Sequence, residues 1–169
     1  MTTAYVNWGN SKVKLTWKQD NRLPSRNLIT SVHGFCFYKK KLVMVDLEDR
    51  GWDFPGGHIE VNETPEQCFR REAMEEGCIE GICHLLGYLE VDHHDNPVWN
   101  EDSVYPLVGY QVFYCMHIEQ LHPFKARYES TSRTLIDPSD VADYYKNWHK
   151  VYQAVLDSAC EMERRNSNQ

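Results

Sequence analysis

The sequence has no apolar run long enough to cross a bilayer, and Met1 to Asp20 has no apolar core of signal-peptide length. A cytoplasmic protein with no membrane partner is the expectation. None of its six cysteines (Cys36, Cys68, Cys78, Cys83, Cys115 and Cys160) forms a C-x-x-C pair. That spacing fits reduced, mostly buried thiols better than a disulfide scaffold. Cys78, Cys83 and His84 lie close together, but no second ligand pair stands at zinc-finger spacing. Internal repeats and low-complexity tracts are absent too. Positive charge is in short supply: 18 Lys and Arg against 25 Asp and Glu leave a net charge of -7. A general nucleic-acid-binding surface needs the opposite balance to displace counterions, so no nucleic acid polymer is expected as a partner. The length, 169 residues, suits one domain over 1–169 that buries roughly two-thirds of its unfolded surface.

What is present is a mixture of strand and helix patterns. Within an N-terminal strand region, residues 1–27, Val13 to Trp17 alternates as a strand does; Leu28 to Tyr38 and Leu42 to Leu47 read as two strands around a Lys39-Lys40-Lys41 turn. Ile82 to Val91 and Leu107 to Ile118 read as two more. A last helix is expected from Pro138, with Asp137 as N-cap, to about Glu163. Val141, Tyr144, Tyr145, Trp148, Val151, Tyr152, Val155 and Ala159 stand at helical spacing there. That stripe is core packing first, and contact with a second copy in a homodimer is its other use. Alternation of this kind implies an α/β or α+β fold.

The richest segment is residues 57–79. Thr64 is a good N-cap, Pro65 suits the first helical position, and Gln67 completes a capping box. Gly77 offers a stop, so the helix is expected to end there, since Cys78 adopts a left-handed conformation only at a cost. Glu72, Glu75 and Glu76 fall at i, i+3 and i+4 and share one face at about 100° per residue. Like charges so placed each cost roughly 0.2–0.5 kcal/mol, and acids near a helix C-terminus oppose its dipole. Arg71 can reach Glu75, but one arginine does not neutralise three acids. The bland alternative is a solvated charged face. Cys68, Phe69 and Ala73, the expected core contacts, lie beside and between the acids, which puts the carboxylates at a buried margin where a cation can bind. Oxygen-only ligands favour Mg2+ or Mn2+.

Gly57, Glu63, Arg71, Glu72, Ala73, Glu75, Glu76 and Ile79 match the pattern G-x5-E-x7-R-E-U-x-E-E-x-G-U, with U aliphatic. By this pattern the chain resembles the Nudix hydrolase superfamily, and Trp52-Asp53-Phe54-Pro55-Gly56-Gly57 looks like that family's approach to the motif. The departure is at the end, where the family has glycine and this chain has Cys78, with Gly77 one place early. The resemblance implies an α/β/α sandwich with a mixed central sheet and hydrolysis of a phosphoanhydride bond in a nucleotide-type substrate. It further implies that Glu63 and Arg71 form a structural salt bridge, and that the Gly56 carbonyl joins the metal ligands.

A pyrophosphate bond demands neutralised oxygens, a stabilised leaving group and an oriented water. Glu75 and Glu76 are the first choices as metal ligands. Glu72 is either a further ligand or the base that accepts the water's proton. Glu60 and Glu66 are expected to face solvent. Glu129 resembles the extra acid that many relatives place near the metals. Asp92 to Pro106, with His93, His94, Trp99 and Tyr105, is a loop of a length at which function becomes common, and its aromatic residues can stack on a base or simply pack. The substrates in view are a nucleoside triphosphate, including an oxidised one, then ADP-ribose or a nucleotide sugar. A nucleotide-sensing module without turnover is the alternative from another class, and the intact acids count against it.

Overall fold

The structure is a computed structural model that describes residues 1–168. These residues form nine strands in one mixed sheet: β1 (Thr2–Trp8), β2 (Ser11–Gln19), β3 (Ile29–Tyr38), β4 (Lys41–Leu47), β5 (Gly51–Asp53), β6 (Gly56–His58), β7 (Ile79–Asp92), β8 (Val108–Leu121) and β9 (Ser130–Ile136). The order is β1-β2-β7-β8-β3-β4-β5, with β6 paired to β3 and β9 to β4. β3 and β8 run parallel, and the other pairs are antiparallel.

The central strands are apolar throughout because both of their faces are covered. On β8, Phe113 and Cys115 enter one core while Val112, Tyr114 and Met116 enter the other; on β4, Leu42 and Met44 divide in the same way from Val43 and Val45. The first core takes Val151, Val155, Leu156 and Ala159 of helix α3 (Lys150–Ser167), and the second takes Cys68 and Phe69 of helix α1 (Pro65–Glu72). Each large apolar side chain buried there contributes about 1.5–3 kcal/mol. The result is the expected α/β/α sandwich. Among the described residues, no helix is long and apolar enough to cross a membrane.

Three features differ from the sequence reading. The N-terminal region holds a full hairpin, β1–β2, closed by Gly9 and Asn10 with Gly9 at φ 62°. Strands β5, β6 and β9 escaped notice because they are short or polar. The last helix is not continuous from Pro138 to Glu163: α2 (Val141–Tyr144) is brief, Asn147 turns the chain at φ 59°, and α3 starts afresh with the His149 side chain as its cap. The break lets Tyr145 stack on Phe54, with ring centroids 5.4 Å apart, and brings Trp148 to 5.8 Å from the same ring. Aromatic packing there outweighs helical continuity.

The end of α1 is a further correction. The helix runs on through a widened π turn, Ala73–Gly77, so Gly77 stays helical and Cys78 takes the left-handed exit at φ 55°, ψ 44°. The exit therefore falls where the Nudix pattern has glycine. Carbonyls at this end are capped from afar: the Arg133 guanidinium donates to Gly77 O at 2.8 Å, and Ser130 Oγ donates to Glu76 O at 2.7 Å. These distant donors override the preference of Gly77 for the exit. Left-handed strain at a non-glycine residue is about 1–2 kcal/mol, partly offset by the entropy that glycine loses on folding. Cys78→Gly is thus expected to stabilise the fold by about 0.5–1 kcal/mol in urea denaturation; a loss of stability would show that the Cys78 side chain contributes more than its strain.

Candidate active site

The capping box forms as expected: Gln67 N–H donates to Thr64 Oγ1 at 3.1 Å, and Thr64 N–H donates to Gln67 Oε1 at 2.9 Å. This fixes where α1 begins and hence where its acids point. One turn on, Arg71 grips Glu63 with two bonds, Nε to Oε2 at 2.7 Å and Nη2 to Oε1 at 3.1 Å. The guanidinium holds the Glu63 carboxyl down at about 2. The same guanidinium reaches Glu72 Oε1 at 2.9 Å and Glu75 Oε2 at 3.5 Å. Arg71 therefore joins loop, helix and two of the three acids.

Glu76 is different. The π turn sends it inward, where it is 2% exposed, and its Oε1 accepts the Gly56 N–H at 2.9 Å. Burial pushes its carboxyl up to about 8, helped by the neighbouring Glu72 and Asp53 charges and opposed by the Gly56 bond. Burial also raises Glu72, against the pull of Arg71, and lifts the enclosed Asp53 to about 6. Among the described residues, no guanidinium contact neutralises Glu76.

A cleft of about 1050 Å³ opens over these groups, and Gly56, Gly57, Glu72, Glu75, Glu76 and Glu129 all line it. Glu129 is exposed and immediately precedes Ser130, whose bond to Glu76 O draws the later loop to the acidic turn. Glu66 turns away to pair with Arg70, and Glu60 stands at the mouth, 3.7 Å from Arg71. Of the loop residues, His93 and Tyr105 line the cleft. His94 instead pairs with Asp92 at 2.6 Å, and the Trp99 indole pins the loop through Tyr105 O at 3.0 Å. Asp53, Ser130 and Arg133 were missed. Asp53 sits inside the glycine-rich approach and carried a signal in being an acid there, whereas Ser130 and Arg133 act from β9 and carried none.

In chemistry the donor set fits a hard divalent cation: carboxylate oxygens, one of them buried and costly to ionise alone. In placement, Arg71 bridges Glu72 and Glu75 while Glu76 faces Gly56, and among the described residues no three acids converge as a ready cage. A bound cation would share or take over the hold that the guanidinium has on Glu72 and Glu75.

The two glycines are required for different reasons. A Cβ on Gly56 would lie 2.4 Å from His33 Nδ1 and 2.6 Å from Val32 O, whereas the nearest atoms to one on Gly57 belong to the flexible end of Glu72, at 2.6 Å. Gly56→Ala is expected to destabilise by several kcal/mol, about the scale of overpacking against backbone, and Gly57→Ala much less. Gly57→Ala should nonetheless lose most activity by displacing Glu72. Thermal melts and rates for the pair check this; equal melting temperatures would contradict it.

The NUDIX domain model matches residues 30–166, most of the chain and all of the acidic site. The chain belongs to the NUDIX family. A curated relative, an 8-oxo-dGTP diphosphatase of Proteus vulgaris, is 46% identical over 48 residues, or 28% of this chain and 43% of that one. The matched segment thus spans less than half of that relative's length. Among solved structures, a mutant of the Bacillus subtilis pyrophosphohydrolase BsRppH superposes with a TM-score of 0.67 at 21% identity, covering 90% of this chain and 92% of that one. An ADP-ribose pyrophosphatase from Streptococcus suis gives 0.55 at 18% identity, over 79% and 90% of the two chains. These similarities support the NUDIX fold, and within it the left-handed Cys78 stands at the glycine position of the family pattern.

Proposed function

We propose that this NUDIX protein is a divalent-metal-dependent pyrophosphohydrolase of a nucleoside diphosphate linked to another moiety, working as a single cytoplasmic domain. A nucleoside triphosphate, oxidised forms included, is the leading substrate, and the short match to an 8-oxo-dGTP diphosphatase supports that choice. The observation that carries the reading is that Glu72, Glu75, Glu76 and Glu129 line one cleft together with Gly56 and Gly57.

Glu75 and Glu76, with Glu72 and the Gly56 carbonyl, are the groups that would hold Mg2+ or Mn2+. Such a cation, when bound, neutralises phosphate oxygens and stabilises the leaving group. The chain supplies the rest. Arg71, fixed by Glu63, orients Glu72 and Glu75. Glu72, more basic than an exposed carboxylate because it is half-buried, takes the proton of the attacking water as its oxygen bonds to phosphorus and the bridging P–O bond breaks. Glu129 lines the same cleft from the loop just before β9 and is the other candidate for that proton.

A screen of nucleoside triphosphates, 8-oxo-dGTP, ADP-ribose and nucleotide sugars with Mg2+, scored by released phosphate or pyrophosphate, tests the reading. Turnover of a triphosphate to a monophosphate is expected. Binding without turnover across the whole panel would replace hydrolysis with nucleotide sensing, and turnover of ADP-ribose or a nucleotide sugar alone would move the substrate class.

A further inference from the structure

The β1–β2 hairpin lies before the segment that the family model matches, yet it reaches the cleft: Trp8 and Ser11, the pair that closes the hairpin turn, both line it. The hairpin is tied to the 93–107 loop rather than merely close to it. Tyr5 Oη donates to Asp95 Oδ2 at 2.6 Å, and Lys12 N–H donates to Asn96 Oδ1 at 3.3 Å. Asn96 is 8% exposed, and its Nδ2 lies 3.0 Å from His93 Nδ1. Hairpin, loop and the cleft residue His93 are thus one connected wall.

Trp8 is 40% exposed at this wall, an uncommon placement for the largest apolar side chain. Tyr105, 42% exposed and stacked on His58 with centroids 6.4 Å apart, lines the same cleft. Between Trp8 and the acids the strands run β1, β2, β7, β8, β3, β6. At about 4.8 Å per strand this is on the order of 20 Å across the sheet. Such a span matches an extended nucleotide and far exceeds pyrophosphate alone. The floor between holds Gln111, whose carboxamide Oε1 is buried without a partner among the described residues. A polar edge that the fold leaves unspent suits a ligand that carries hydrogen-bonding groups beside a flat face.

We propose that the N-terminal hairpin is the recognition arm of this enzyme, with Trp8 as the stacking surface for the nucleobase of a substrate whose phosphates lie at the acids. The inference rests on the hydrolase reading for where the phosphates sit, but base binding is testable without turnover. Stacking on an aromatic side chain contributes roughly 1–3 kcal/mol per base, about 5- to 150-fold in affinity.

Calorimetric titration of the full chain with nucleoside triphosphates, on a Glu72→Gln background to suppress turnover, should show Trp8→Ala binding about 5- to 150-fold more weakly. Trp8→Phe should recover most of the loss. Inorganic tripolyphosphate, which has no base, should bind both variants like the parent, and Trp8→Ala in the active chain should raise KM with little change in kcat. Loss of tripolyphosphate affinity equal to that of nucleotides would overturn the proposal, since Trp8 would then hold the fold or the phosphates. So would unchanged nucleotide binding. If nucleotides bind through Trp8 but are never hydrolysed, the arm stands and the hydrolase reading falls; if no nucleotide binds at all, both fall.

Discussion

Glu72→Gln is expected to slow turnover by roughly 10²–10⁴-fold, the usual scale for loss of a general base, with a smaller change in substrate affinity. The amide keeps the length and shape of the side chain and can still accept from Arg71 Nη1, which stands 2.9 Å from Glu72 Oε1. What it loses is the basic oxygen. Glu72 lies against Gly57, and burial raises its proton affinity despite Arg71. Glu129→Gln is the comparison, because Glu129 faces the same cleft from an exposed loop and its charge is felt at Glu72. Steady-state rates for both variants decide between them. A mild Glu72 effect beside a severe Glu129 effect would move the proton transfer to the later loop. If both variants keep full activity while Glu75→Gln does not, water is activated without either carboxylate.

The acids were legible because helix periodicity is local. Glu72, Glu75 and Glu76 all line one cleft for reasons contained within two turns, which the capping box positions. The central strands were legible for a similar reason, since burial on both sides leaves long apolar runs such as Val108–Leu121. Reading failed where distant groups decide a local choice. Whether Gly77 or Cys78 takes the left-handed turn depends on Ser130 and Arg133, more than fifty residues on. The break between α2 and α3 depends on Phe54 offering a ring to Tyr145 and Trp148. The split among the acids, with Glu75 left to Arg71 and Glu76 turned inward, comes from the π turn, which no spacing rule for an α-helix contains.

That split sets up the second large effect, in which the metal-free protein becomes less stable as pH rises from about 6.5 to about 8. The sign follows from Glu76. Its folded pKa, about 8, lies above its ordinary value of 4.5, so the folded state holds a proton that the unfolded chain has released. Where the folded state binds more protons, stability falls with rising pH, by at most about 1.4 kcal/mol per unit for one group. Asp53, lifted to about 6 from 3.8, contributes a loss of the same sign at lower pH, below that window. Glu63 works the other way, but it is held at about 2, so its contribution is complete above its ordinary 4.5 and fades only below it. Burial lowers His33 from 6.5 to about 4, which makes stability rise with pH below about 6.5; above that the Glu76 loss is left unopposed by either group. On the proposed reading a divalent cation would bind the ionised form of Glu76, so the rise in melting temperature with Mg2+ or Mn2+ should be small near pH 5.5 and large near pH 8.5. Glu76→Gln, whose amide oxygen can still accept the Gly56 N–H, should flatten the pH dependence and abolish most of the metal-induced rise. Thermal melts with EDTA or Mg2+ across this range are the test. Metal-free stability that stays level from pH 6.5 to 8, or an equal Mg2+ effect near pH 5.5 and pH 8.5, would mean that Glu76 is neither the strained carboxylate nor a ligand.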